Sequence, residues 1–211
     1  MNIKIVRYVV GRLLQVEALL LILPLIVSFI YEEAIIYKIS FFAVILFLLI
    51  VGQVLAFKMP DNKRLTAREG FVIVALSWVL FSFFGGLPFV INGDIPSLVD
   101  AFFETSSGFT TTGSSILTDV EILAHSSLFW RSFTHLVGGM GILVFALAIL
   151  PKIDSQSVNI MKAETPGPTF GKLVSKLSTS ARILYTIYLA MTVVVVALLY
   201  FGGMNLFDSL L

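Results

Sequence analysis

The chain has 211 residues, 58% of them hydrophobic and 13% charged, with 19 phenylalanines, a formal net charge of +1 and a mean hydropathy of +1.00. A soluble domain carries about 25% charged residues, so this composition reads as a chain whose main solvent is lipid. The absence of cysteine excludes disulfides, thiolate metal sites and cysteine nucleophiles.

A helix needs about 20 apolar residues to cross the hydrocarbon core, and five segments qualify. The first, Leu13–Ile30, is interrupted by Glu17 and Pro24. A cleaved signal peptide shares its basic start and apolar run, but the following "SFIYEEA" offers no clear small-x-small cleavage site. Ile39–Phe57 is the second. The third, Phe71–Ile91, contains Gly85, Gly86 and Pro88, which predict a kink or a close helix contact, and Trp78, which reads as packing. Ser127–Leu150, the fourth, carries Arg131 and His135 near its start and a small face of Gly138, Gly139 and Gly141 suited to close helix approach. Trp130 falls near its outer end, where aromatic belts sit. Ile183–Phe201 is the fifth.

Lys and Arg gather on one side of this five-span arrangement. Lys4, Arg7 and Arg12 precede the first span. Lys58, Lys63, Arg64 and Arg68 lie between the second and third, and Lys152, Lys162, Lys172, Lys176 and Arg182 between the fourth and fifth. Only Lys38 and Arg131 fall elsewhere, so the positive-inside rule puts the N-terminus in the cytoplasm. The opposite side carries Glu32, Glu33, Asp94, Asp100, Asp119 and Glu121. The last four read either as an acidic mouth that concentrates cations or as a plain solvated loop.

Between the third and fourth spans lies a stretch that does not span. Ser97 is placed to cap a helix with Asp100 at its third position, a variant of the capping box. Apolar residues follow and Gly108 is a natural stop. Such a helix over residues 97–108 is roughly 16 Å long, half a membrane. Charge placement starts and ends this segment on the same side, so a helix entering from outside must turn back through "FTTTGSS", residues 109–115. Irregular backbone at membrane depth is tolerated only where protein buries it or it lines a watery cavity. An extended arm there can aim carbonyl oxygens at a dehydrated cation, and Gly113 opens backbone angles closed to other residues. An ordinary external loop with a surface helix is the alternative that the residues leave open. Glu104 falls within the short helix, and a carboxylate at membrane depth is usually paired. Its expected place is behind the arm, accepting from arm amides or from Arg131; the outer vestibule is the other reading. His125 and His135 have no metal-ligand spacing and read as packing or interface residues. Residues 152–182 form the one sizeable polar segment, broken at Pro166, Gly167 and Pro168. Leu173, Val174 and Leu177 among Lys172 and Lys176 predict a short amphipathic helix on the inner leaflet or against a cytoplasmic partner, or a basic linker drawn to anionic lipid.

"AFFETSSGFTTTGSSIL" followed by "LFWRSFTHLVGGMGILVFALAILP" resembles the first pore repeat of the Trk/Ktr/HKT superfamily of potassium uptake proteins. The two spans ahead of it point to the bacterial TrkH-type branch, and "ETPGPTFGKL" resembles that family's linker. The resemblance implies an all-α integral membrane fold with about five transmembrane helices plus one re-entrant pore helix and filter loop. It divides the chain into a two-helix hairpin (1–60), a first span–pore helix–span repeat (61–151), a cytoplasmic linker (152–182) and the start of a second repeat (183–211). Thr110, Thr111, Thr112 and Gly113 would be the potassium-binding filter, with Glu104 and Arg131 as its support. Potassium is then the transported ligand, with no cofactor and no other metal. Partners implied are membrane lipid, a second copy in a homodimer, and a cytoplasmic nucleotide-binding regulatory subunit, with no nucleic acid. The expected location is the bacterial inner membrane.

The family's four repeats are not all here, so the chain reads as its N-terminal portion. A non-conducting membrane fragment with a structural role is the alternative function. An enzyme is disfavoured, since no nucleophile–base pair, HExxH motif or paired intramembrane Asp occurs.

Overall fold

The computed structural model describes residues 2–58, 60, 67–139, 141 and 177–211, whose regular elements are all helices, with no strand among them. The first long apolar segment forms α1 (Ile3–Leu20) and α2 (Ile22–Ile30). Pro24 has no amide hydrogen and its ring crowds the Leu20 carbonyl, so the helix breaks at Leu21 and resumes. The pair starts at Ile3 rather than at the expected Leu13. Lys4, Arg7 and Arg12 therefore lie on the helix and not ahead of it. Arg12 is accommodated by its neighbours: it donates to Gln15 Oε1 at 2.9 Å and lies over the Tyr8 ring.

Helix α3 (Ile35–Leu55) returns against α1. The two backbones meet at Gly11 and Gly52, where a Cβ on either residue would fall 2.7 Å from the other's carbonyl oxygen. In lipid, helices gain little from hiding apolar surface from one another, and close backbone approach of this kind replaces it. Helix α4 (Ala67–Asn92) crosses both, with Pro88 inside it. Short helix α5 (Leu98–Phe109) packs on α4, and α6 (His125–Gly138) packs on α5 and α2. Leu14, Phe41, Leu48, Ile73, Phe81 and Phe89 are buried where these helices meet. Trp130 is the largest fully buried side chain and donates its indole N–H to the Gly85 carbonyl at 2.8 Å. It therefore sits in the core, not in a lipid-facing aromatic belt.

Four helical stretches are long and apolar enough to cross a membrane: Ile3–Ile30, Ile35–Leu55, Arg68–Asn92 and Ile183–Phe201. The expected fourth span, Ser127–Leu150, is seen as α6 through Gly138. Most of its second half lies outside the described residues, as does the linker up to residue 176. The last long helix, α7 (Leu177–Phe201), is followed by α8 (Leu206–Leu210).

A local pattern occurs twice. After α4, Gly93 at φ +89° precedes a chain turn and Ser97 caps α5 by accepting from the Asp100 amide. After α7, Gly203 at φ +103° precedes Asn205, which caps α8 by accepting from the Asp208 amide at 2.8 Å. A long apolar helix, a left-handed glycine, a polar cap and an acidic third residue make up both units. The acidic residue also suits the positive end of its helix.

Candidate functional site

Helix α5 carries the site. Its N-terminus begins where Ser97 and Asp100 predict, but Gly108 does not stop it. Gly108 lies inside the last turn, against Thr134 of α6. The stop comes two residues past the helix end's Phe109. Thr111 takes the left-handed conformation at φ +57°. Its amide bonds to the Gly108 carbonyl at 2.9 Å, and the Thr112 amide bonds to the Ser107 carbonyl at 2.9 Å. This is a Schellman ending with threonine where glycine is usual. A β-branched residue at positive φ is strained. The hydroxyls compensate locally: Thr111 Oγ1 donates to the Thr110 carbonyl at 2.7 Å, and Thr110 Oγ1 donates to the Ser106 carbonyl at 2.7 Å. Of "FTTTGSS", then, residues 109–111 belong to the helix end and its turn, and the open arm starts at Thr112. Gly113 is also left-handed, at φ +75°, with no neighbouring atom within 4 Å of an added Cβ.

The turn and the arm are exposed over residues 110–116, yet the arm is anchored. Glu104, one helical turn before the end of α5, is 2% exposed. Its carboxylate accepts from Arg131 Nε of α6 at 2.5 Å, from Ser115 Oγ at 3.0 Å and from the Ile116 amide at 3.1 Å. One carboxylate thus joins the short helix, the returning chain and the next helix. Charge-assisted bonds of this kind are about twice as strong as neutral ones. Sequence reasoning pairs Glu104 with Arg131 because both charges sit in apolar segments flanking one loop. It misses Ser115 and Ile116, which lie just beyond the threonines.

Below the arm is an aromatic floor. Phe109 meets Phe81 and Trp130 edge-on at centroid distances of 5.8 and 6.1 Å. Thr105 ties α5 to α4 by donating to the Ser82 carbonyl at 2.5 Å. Glu17 of α1 reaches the same layer. It is fully buried beside Gly85, and neither carboxylate oxygen has a hydrogen-bond partner. Asp94 does not face an open mouth: one oxygen accepts from Tyr37 at 3.1 Å and the other is buried. Asp119 closes a turn by accepting from the Glu121 amide, a loop role. His135 Nδ1 lies 3.1 Å from the Arg131 carbonyl. Among the described residues no cluster of His, Asp and Glu forms a metal site.

The family described as TrkH, cation transport protein, matches residues 38–206. The chain belongs to the TrkH cation transport protein family. It is similar to the Trk system potassium uptake protein TrkH of Escherichia coli, 35% identical over 216 aligned positions that cover 100% of this chain and 44% of that protein. The Trk system potassium uptake protein TrkG of the same species is 29% identical, over 99% of this chain and 43% of its own length. Among solved structures, the crystal structure of the potassium transporter TrkH from Vibrio parahaemolyticus superposes with a TM-score of 0.81 at 31% identity, covering 100% of this chain and 42% of that one. The chain therefore spans less than half the length of the TrkH relatives it matches.

Proposed function

We propose that this chain supplies the first filter repeat of a Trk-type potassium uptake protein. Helix α5 is its pore helix and Thr110, Thr111, Thr112 and Gly113 offer backbone carbonyls to potassium. The carrying observation is the anchored arm: a short helix ends in a strained threonine turn, and a buried carboxylate behind it holds the chain on its way out. The negative end of the α5 dipole points toward the arm, which favours a cation there. Glu104 and Arg131 support the arm and do not touch the ion. The named activities of the TrkH and TrkG relatives favour potassium.

In this reading α6 continues as a full span, making five, and the basic residues place the N-terminus in the cytoplasm of a bacterial inner membrane. Residues 1–60 form the hairpin, 61–151 the first repeat, 152–182 the cytoplasmic linker, and 183–211 open a second repeat. The doubled glycine–cap–acid pattern at α5 and α8 favours that last division. A homodimer and a cytoplasmic nucleotide-binding regulatory subunit complete the assembly.

The test is Gly113→Ser in a complete transporter carrying this repeat, expressed in cells that need uptake to grow on limiting potassium. A side chain fits the space at Gly113 but not its left-handed backbone, at a cost of about 1–2 kcal/mol. The expected result is lost growth rescue and weakened discrimination of rubidium over sodium, with normal membrane insertion. Unaltered ion selectivity would count against the filter assignment.

A further inference from the structure

Helix α6 has no cap of its own. Ala124 at its N-cap offers no side-chain acceptor, although the first four amides of any helix need partners from outside it. The partner comes from the N-terminal hairpin, 93 residues away in sequence. Glu33 Oε1 accepts from the Ser126 amide at 2.9 Å, and Glu33 Oε2 accepts from Ser126 Oγ at 2.5 Å. Ser126 is fully buried.

The hairpin aims Glu33 by its own Schellman turn. Glu32 is left-handed at φ +50°, the Glu33 amide bonds to the Ser28 carbonyl at 3.0 Å, and the Glu32 amide to the Phe29 carbonyl at 3.2 Å. A second contact runs alongside. The Tyr31 ring stacks on His125 at 4.0 Å with 10° between planes, and Phe207 of α8 meets both edge-on at 5.2 and 4.9 Å. The hairpin tip thus grips the first turn of α6 by a two-pronged carboxylate and a stacked ring.

We infer that Glu33 is a positioning residue: it caps α6 from another part of the chain and so sets where that helix presents Arg131 to Glu104 and the return arm. Five residues separate Ser126 from Arg131, about 7.5 Å along one rigid helix, and α6 is continuous between them. A slip at the first turn is passed directly to the guanidinium, whose 2.5 Å bond to Glu104 leaves little slack. The hairpin then has a task beyond filling the membrane: it fixes the anchor of the arm. Only the last step, from arm to ion selection, rests on the proposed function.

Amide hydrogen exchange on the complete, detergent-solubilised transporter tests this with Glu33→Ala, Glu33→Gln and the milder Ser126→Ala. In Glu33→Ala the Ser126 amide is expected to exchange about 10-fold faster or more. The Ile116 amide, which reports the Glu104 anchor, should lose protection with it, while core amides of α3 keep theirs. Glu33→Gln should restore most of both, because its carbonyl oxygen still accepts from Ser126. Ser126→Ala should give a smaller effect of the same sign. Rubidium-over-sodium discrimination should fall in Glu33→Ala and recover in Glu33→Gln. Unchanged Ser126 exchange, or faster exchange there with full protection at Ile116, would overturn the inference. If Ile116 loses protection while neither Glu33→Ala nor Gly113→Ser alters ion discrimination, the positioning stands and the filter reading fails.

Discussion

Replacing Glu104 with alanine is expected to destabilise the folded chain by about 3–5 kcal/mol, the usual result of removing one partner from a buried ion pair. Three donors lose their acceptor at once: Arg131 Nε, the Ser115 hydroxyl and the Ile116 amide. Arg131→Ala should be costly for a different reason, since it leaves a carboxylate that is 2% exposed without its cation. The two variants separate in where they act. Glu104→Ala frees the arm, because Ile116 and Ser115 no longer have an anchor. Arg131→Ala leaves those two bonds in place. Unfolding in mixed micelles, followed by Trp130 fluorescence, measures the first quantity, and protection of the Ile116 amide measures the second. The double variant should cost less than the sum of the single ones, because each already removes the shared bond. Glu104→Ala with unchanged stability and full protection of the Ile116 amide would refute the anchor.

The second large effect is expected at Gly138. An added Cβ there would clash with the Phe109 carbonyl oxygen and lie 2.7 Å from its carbonyl carbon, both backbone atoms at the last residue of α5. No rotamer relieves such a clash, so α6 must withdraw from α5 just where the threonine turn begins. Gly138→Ala should cost about 3 kcal/mol, the upper end for overpacking, even though alanine gains about 1 kcal/mol over glycine in a helix. Gly108→Ala is the contrast. Its Cβ would also clash, but with Thr134 Oγ1, the end of a side chain. Gly108→Ala should therefore be partly rescued by Thr134→Ala, which removes the hydroxyl but keeps a Cβ at 3.0 Å, whereas no single side-chain truncation should rescue Gly138→Ala. Thermal midpoints of these variants and the parent protein decide between the outcomes.

Much of this architecture is legible in the sequence because lipid leaves few choices. Long apolar runs and one-sided Lys and Arg locate α1 through α4 and α7, with the first start moved from Leu13 to Ile3, where Lys4, Arg7 and Arg12 ride on the helix. The Ser97 cap is readable from its spacing to Asp100. The Glu104–Arg131 pair is readable because two opposite charges in apolar segments flanking one loop have little else to bind. The end of α5 is not readable. Gly108 looks like the natural stop, and the chain turns at Thr111, against propensity. Trp130 is misplaced by a position argument, since the end of a span suggests an interface and the buried Gly85 carbonyl that takes its N–H is invisible in one dimension. The Glu33–Ser126 bond joins residues 93 apart, and no local pattern marks it.

The most direct measurement is anomalous diffraction from crystals of a complete transporter carrying this repeat, grown with rubidium in place of potassium. The expected result is a rubidium peak ringed in part by the carbonyl oxygens of Thr110, Thr111, Thr112 and Gly113, with Glu104 behind the arm and out of contact with the ion. Rubidium bound elsewhere along the pathway, with none of those four carbonyl oxygens in contact with it, would contradict the account.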